Sequence, residues 1–133
     1  MRLPRKALLV EDHPDARALV RTYLVAMGIE VVDVAEGRSA IRALEKSRPD
    51  LVCLDLMLPE LSGFEVCEFM RSHPELRDVP ILVMSARAKP MDRAFAEEVG
   101  ATAYLVKPFK RSDFSRAVNA CITRLESMEG PAR

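Results

Sequence analysis

The sequence predicts an α/β protein whose parallel sheet is covered by helices on both faces. Five short apolar or β-branched runs alternate along the chain with five segments whose apolar residues recur at helical spacing. The third run, Leu51–Asp55, is apolar up to a closing carboxylate, as expected of a strand buried on both faces. This alternation implies parallel strands joined by right-handed crossovers in a doubly wound arrangement.

Length and composition favour one globular domain. No repeat or second domain is visible in the 133 residues, so we interpret residues 1–133 as a single domain with a core from about 6 to 127. The 20 Lys and Arg residues balance the 20 Asp and Glu residues, which leaves no net field to attract nucleic acid or a membrane. No apolar run is long enough for a membrane span, and residues 7–10 are too short a run for a signal peptide. We therefore expect a cytoplasmic protein.

The first half of the chain predicts three strands and two helices. Residues 7–10 form the first strand, Pro14 suits the first turn of the next helix, and Gly28 can end that helix in the left-handed conformation. Residues 29–35 are rich in β-branched side chains and form the second strand, and residues 37–47 form a short helix before the third strand. The apolar positions that mark the two helices are Ala16, Leu19, Val20, Tyr23, Leu24 and Met27, then Ala40, Ala43 and Leu44.

The second half continues the alternation. A third helix is broken by Pro74. The fourth strand, residues 81–84, leads to a helix that Gly100 ends, and the fifth strand, residues 103–106, leads to a last helix that Ser112 can cap. The positions that mark these helices are Gly63, Val66, Cys67 and Met70, then Met91, Phe95 and Val99, then Phe114, Ala117, Val118, Cys121, Ile122 and Leu125.

Cysteines and histidines do not form a recognisable metal or disulfide pattern. Cys53, Cys67 and Cys121 are odd in number, far apart and without a C-x-x-C pair, and each falls on an apolar face. We interpret them as buried reduced thiols. His13 is expected to cap or flank the first helix, and His73 to face solvent.

Polar residues follow four of the predicted strands. Glu11 and Asp12 follow the first strand, Asp55 ends the third, Ser85 ends the fourth and Lys107 follows the fifth. Because the carboxyl ends of parallel strands share one edge, these side chains are expected to lie together. Three carboxylates at one place favour a cation, and ligands that are all oxygen favour Mg²⁺ over zinc. A hydroxyl and an ammonium beside the metal could hold a phosphoryl group.

In these residues the chain resembles the receiver domain of bacterial two-component response regulators, the CheY-like family. The resemblance covers nearly the whole chain, and its motifs follow one another in the expected structural positions. They are Val10-Glu-Asp12, Asp55-Leu-Met-Leu-Pro59 with Gly63 following, Ser85-Ala86, Gly100-Ala101, Tyr104 and Lys107-Pro-Phe109. The resemblance implies a flavodoxin-like or CheY-like fold, with strand order 2-1-3-4-5 and five helices on both faces.

The resemblance also implies a role for each residue of the metal site. Asp55 would be the phosphoacceptor and would become an acyl phosphate. Asp12 and Asp55 would bind Mg²⁺ through carboxylate oxygens, and Glu11 would act mainly through a metal-bound water. Met57 would contribute its backbone carbonyl.

Further roles concern the phosphoryl group and the switch. Ser85 would donate its hydroxyl to the phosphoryl group, and Lys107 would pair first with Asp55 and then with the phosphoryl oxygens. The bond between Lys107 and Pro108 is expected to be cis. Tyr104 would be the switch aromatic and would swing inward when Ser85 moves toward the phosphoryl group.

Departures from the family pattern are mild. Glu11 replaces one member of the commoner Asp-Asp pair, and Ser85 stands where Thr is frequent but keeps the hydroxyl. Arg87 is expected near the mouth of the site, where it could affect how long the phosphoryl group survives; we interpret it as a solvated arginine.

These features imply a phosphoryl-accepting switch, not a metabolic enzyme. Expected partners are a sensor histidine kinase or histidine phosphotransfer protein and a downstream protein bound through the fourth helix, fifth strand and fifth helix, with no direct nucleic acid or membrane contact. A stand-alone receiver or phosphorelay shuttle fits. A receiver cut from a longer regulator or hybrid kinase stays open, because Gly130–Arg133 could begin a linker.

Two further interpretations belong to other classes. A phosphorylation-independent scaffold with the receiver fold would usually lack an acidic residue, the acceptor or the lysine, and all are present here. A metal-dependent phosphatase with an Asp nucleophile would need a second carboxylate two positions after Asp55, where Met57 stands.

Overall fold

A computed structural model describes residues 5–129, so the tail Gly130–Arg133 lies outside the described part of the chain. Within that part, five parallel strands alternate with five helices in the sheet order β2-β1-β3-β4-β5, which confirms the predicted fold class. The elements are β1 (Lys6–Val10), α1 (Pro14–Ala26), β2 (Glu30–Val34), α2 (Gly37–Lys46), β3 (Leu51–Asp55), α3 (Gly63–Ser72), β4 (Ile81–Ser85), α4 (Pro90–Glu98), β5 (Ala103–Val106) and α5 (Arg111–Glu129).

Helices cover the sheet on both faces, as the apolar strands require. One core lies beneath α2, α3 and α4, and the other beneath α1 and α5. Every residue of β3 and of β4 is buried, because these central strands contact helices on both sides. Cys53, Cys67 and Cys121 are buried and free, as predicted. Among the helices of residues 5–129, none combines the length and apolarity that a bilayer crossing requires.

The ends of α1 follow the sequence signals. Pro14 occupies the first turn, and Nδ1 of His13 accepts the backbone N–H of Ala16 (3.4 Å), which confirms His13 as a capping residue. Gly28 follows the helix with a φ of 80°. His73, at the end of α3, is exposed as predicted, and its ring centroid lies 4.0 Å from that of Phe69 with the ring planes tilted by 35°.

The predicted cap of α5 is wrong. The helix begins at Arg111, which places Ser112 inside the first turn. The carboxylate of Asp113 instead accepts the backbone N–H of Lys110 (3.3 Å). A hydroxyl is a common cap, but here an acidic side chain three residues after Lys110 reaches back to the free N–H.

Apolar spacing located the helices better than it located their buried faces. In α1, Leu19 is half exposed, and in α4, Phe95 is half exposed and Met91 is 82% exposed. The fully buried residue of α4 is Ala96, whose small side chain lets the helix backbone approach the sheet.

The strand register brings the predicted site residues to one edge. Val10 pairs with Leu54, so Glu11 continues from β1 beside the end of β3. In the same direction Ser85 pairs with Val106, so Lys107 extends one residue past the end of β4. The backbone N–H of Lys107 donates to the carbonyl of Ser85 (2.8 Å), and this hydrogen bond fixes the position of Lys107 beside the end of β4.

Candidate functional site

Three carboxylates meet at the carboxyl edge of the sheet. Glu11, Asp12 and Asp55 each place a carboxylate oxygen within 4.8 Å of the others. Glu11 is 1% exposed and Asp55 is 6% exposed, whereas Asp12 faces solvent. The cluster therefore has a buried base and an open mouth, through which an ion or a small anion could enter.

Lys107 neutralises part of this charge. Its Nζ lies 2.5 Å from Oε1 of Glu11 and 3.0 Å from Oδ2 of Asp55. Burial raises the pKa of Glu11 above its ordinary value, and this outweighs the opposing hydrogen bonds from Lys107 and from the backbone of His13. Burial alone would lower the pKa of Lys107, but hydrogen bonds to Glu11 and Asp55 more than offset it, so that pKa is raised. The lysine is thus held charged in the site.

Backbone groups orient the two buried carboxylates. Oδ1 of Asp55 accepts the N–H of Met57 (2.9 Å), and Oε2 of Glu11 accepts the N–H of His13 (3.1 Å). The Met57 side chain is about half exposed. A Cβ at Gly63 would lie 2.5 Å from the carbonyl oxygen of Asp55, so a glycine is required where α3 starts beside β3.

Ser85 and the Lys107–Pro108 peptide lie at the same edge of the sheet as the carboxylates. The Ser85 side chain is fully buried, and its Oγ accepts the backbone N–H of Arg87 (3.1 Å). The Lys107–Pro108 peptide bond is cis.

Tyr104 connects to Ser85 through the backbone of Arg87. The residue is 6% exposed, and its hydroxyl donates to the carbonyl of Arg87 (2.8 Å). Arg93 from α4 lies over the ring, 5.7 Å from its centroid, and donates to the Tyr104 carbonyl (3.1 Å). The ring expected to swing inward is therefore already inside.

Two charged residues near the site were not predicted from the sequence. Arg93 contacts the ring and backbone of Tyr104, and Asp92 pairs with the guanidinium of Arg87 (3.4 Å). Asp92 carried a weak local signal, since an acidic residue soon after Pro90 is typical of a first helical turn. No local pattern marks Arg93, because its contact depends on how α4 lies against β5.

The donor set suits a hard divalent cation. The nearby ligand atoms are carboxylate oxygens, which Mg²⁺ prefers, and three negative charges face one ammonium. The site thus fits the metal that the sequence predicted, with Asp12 at the open side of the cluster and Asp55 at its buried base.

The chain is similar in sequence to curated transcriptional regulators. The transcriptional regulatory protein GltR of Pseudomonas aeruginosa is 36% identical over 122 residues, which cover 92% of this chain and 50% of that protein. The alkaline phosphatase synthesis transcriptional regulatory protein PhoP of Bacillus subtilis is 34% identical over 122 residues, with the same coverage of 92% and 50%. The chain therefore spans about half the length of the curated relatives it matches.

Solved structures resemble about nine-tenths of the chain. The chemotaxis response regulator CheY4 of Vibrio cholerae superposes with a TM-score of 0.85 at 30% identity, covering 90% of this chain and 99% of that chain. The receiver domain of the sensor histidine kinase PA1611 of Pseudomonas aeruginosa PAO1 gives a TM-score of 0.84 at 34% identity, covering 91% and 99%. In that structure a magnesium ion is coordinated in the active site cleft. Residues 7–119 of this chain match the sequence profile of the response regulator receiver domain, and the chain belongs to that family.

Proposed function

We propose that this chain accepts a phosphoryl group on Asp55, from the phosphohistidine of a sensor histidine kinase or a histidine phosphotransfer protein, in a Mg²⁺-dependent reaction. The observation that carries the proposal is the contact of Lys107 with both Asp55 and Glu11 beside the exposed carboxylate of Asp12. A buried acceptor, a cation and an open metal-binding edge are the groups that phosphoryl transfer requires.

The reaction follows from the positions of these groups. A carboxylate oxygen of Asp55 forms a bond to phosphorus as the N–P bond of the donor breaks, and the electron pair stays on the imidazole nitrogen. Asp12 and Asp55 would hold Mg²⁺, with Glu11 acting through water and Met57 through its carbonyl. The metal supplies charge neutralisation at the phosphoryl oxygens. Lys107 neutralises a further charge, and the Ser85 hydroxyl can donate its own hydrogen to a phosphoryl oxygen while its Oγ accepts the N–H of Arg87.

The output surface that we propose is the face formed by α4, β5 and α5. Val106 of β5 and Met91 of α4 expose apolar side chains, and Arg93 of α4 contacts the ring of Tyr104 in β5. The half-exposed ring of Phe95 lies against Phe64 of α3. Such a face suits a protein partner. The transcriptional activity in the names of the relatives is not carried over, since the chain matches about half of their length.

Intact-protein mass spectrometry tests the proposal. The chain would be incubated with Mg²⁺ and acetyl phosphate, or with beryllofluoride, together with Asp55→Asn and with Asp15→Asn as a control at an exposed position of α1. We expect one adduct in the wild type and in Asp15→Asn and none in Asp55→Asn. A folded wild type without an adduct from either reagent would favour the scaffold interpretation.

A further inference from the structure

We propose that Arg87 is a second cationic ligand for the phosphoryl group, and that Asp92 holds its side chain away until the group is present. The inference rests on the proposed phosphorylation of Asp55. Lys107 contacts Glu11 and Asp55 of the acidic cluster. Arg87 lines a separate cavity of about 440 Å³ together with Asp12, the third carboxylate of the cluster, and with Met57, two residues after Asp55.

The backbone of Arg87 is fixed on both sides. Its N–H donates to Oγ of Ser85 (3.1 Å), and its carbonyl accepts from the hydroxyl of Tyr104 (2.8 Å). The side chain therefore starts beside the hydroxyl that is expected to contact the phosphoryl group. A long cationic side chain anchored at this point can reorient while its backbone stays in place.

The present partner of the guanidinium is a weak one. Nη1 of Arg87 lies 3.4 Å from Oδ1 of Asp92, and the two side chains are 51% and 21% exposed. Exposed ion pairs of this length contribute little, because solvent screens them. Asp92 also lies in the first turn of α4, where the helix N-terminus favours its negative charge whether or not the arginine is present. Loss of the pair would therefore leave Asp92 in an acceptable environment.

Phosphorylation changes the balance of charge across the cavity. It replaces one carboxylate charge on Asp55 by a phosphoryl group with about two charges and three acceptor oxygens. A guanidinium binds such a group through two parallel hydrogen bonds, which are stronger than the single long contact to Asp92. Arg87 would therefore exchange Asp92 for the phosphoryl oxygens. The exchange would remove the ion pair that connects Arg87 to the first turn of α4.

A double-mutant cycle with Mg²⁺ and beryllofluoride tests this inference. The apparent dissociation constant of beryllofluoride would be measured by fluorine NMR for the wild type, Arg87→Gln, Asp92→Asn and the double variant. We expect Arg87→Gln to raise the constant about ten-fold, because a charge-assisted hydrogen bond is lost. Asp92→Asn should lower it about two- to three-fold, since the competing pair is removed. The double variant should resemble Arg87→Gln.

Control variants distinguish a failure of this inference from a failure of the proposed function on which it rests. Lys89→Gln removes the same charge from an exposed position two residues away, and it should leave the constant unchanged. An Arg87→Gln constant equal to that of Lys89→Gln, or weaker binding by Asp92→Asn, would overturn the inference while the proposed function stands. A wild type that shows no bound beryllofluoride signal dependent on Asp55 would overturn both. Thermal unfolding of each variant identifies changes that come only from stability.

Discussion

The ammonium of Lys107 lies 3.0 Å from Oδ2 of Asp55, the carboxylate that we propose as phosphoacceptor. The same ammonium contacts Glu11, which is almost completely buried. Lys107 therefore has two tasks: it supplies a positive charge at the acceptor, and it compensates a carboxylate that water cannot solvate.

Replacing Lys107 should make stability depend on pH. In the wild type, burial raises the pKa of Glu11 and the Lys107 ammonium opposes that rise. In Lys107→Met the opposing ammonium is absent, so the pKa of Glu11 rises further. A carboxyl whose folded pKa exceeds its unfolded pKa contributes its full stability below the unfolded value, and that stability is lost as pH rises through the folded value. Urea unfolding without Mg²⁺ should show little loss at pH 4 and a loss of about 3 kcal/mol at pH 8. Glu11→Gln in the same variant should remove the pH dependence, and a loss equal at both pH values would contradict this account.

Gly63→Ala should disturb both stability and the site. The added Cβ would lie 2.5 Å from the carbonyl oxygen of Asp55 and 2.6 Å from Cα of Leu56, so β3 and α3 must move apart. Overpacking of this kind costs about 1–3 kcal/mol, and beryllofluoride binding should weaken with it. Gly28→Ala is the matched control, since its φ of 80° costs about 1 kcal/mol at a position with free space around the Cβ. Equal effects of the two variants on beryllofluoride binding would contradict the role of Gly63.

Prediction from the sequence succeeded for features that depend on the local pattern of residues. Buried strands are continuous apolar runs, and a residue at the end of such a run must lie at the sheet edge, which is why Asp55 and Lys107 could be placed together. It failed where the outcome depends on how elements pack. The choice between Ser112 and Asp113 as the capping side chain, and the position of Arg93 over Tyr104, depend on distances that spacing along the chain does not encode.

The three cysteines should resist modification in the native protein. Burial raises the pKa of Cys67 and of Cys121 to about 11 and raises that of Cys53 further still. A thiol reagent at pH 8 should therefore react over hours with native protein and at once in denaturant. Since each folded pKa exceeds the unfolded one, stability should fall as pH rises from about 9. Rapid modification of one thiol in native protein at pH 8 would show that its surroundings open.

Tyr104 should stay buried whether or not the site is occupied. Its hydroxyl donates to the Arg87 carbonyl and its ring lies under Arg93, so its inward position is held by contacts already present. The chain has no Trp and two Tyr, so Tyr23→Phe leaves Tyr104 as the main fluorophore. Acrylamide quenching in that variant should be the same before and after Mg²⁺ and beryllofluoride are added. Arg93→Gln should increase quenching without the ligand and make it fall when the ligand binds. A ligand-dependent fall with Arg93 intact would show instead that the ring moves inward only when the site is occupied.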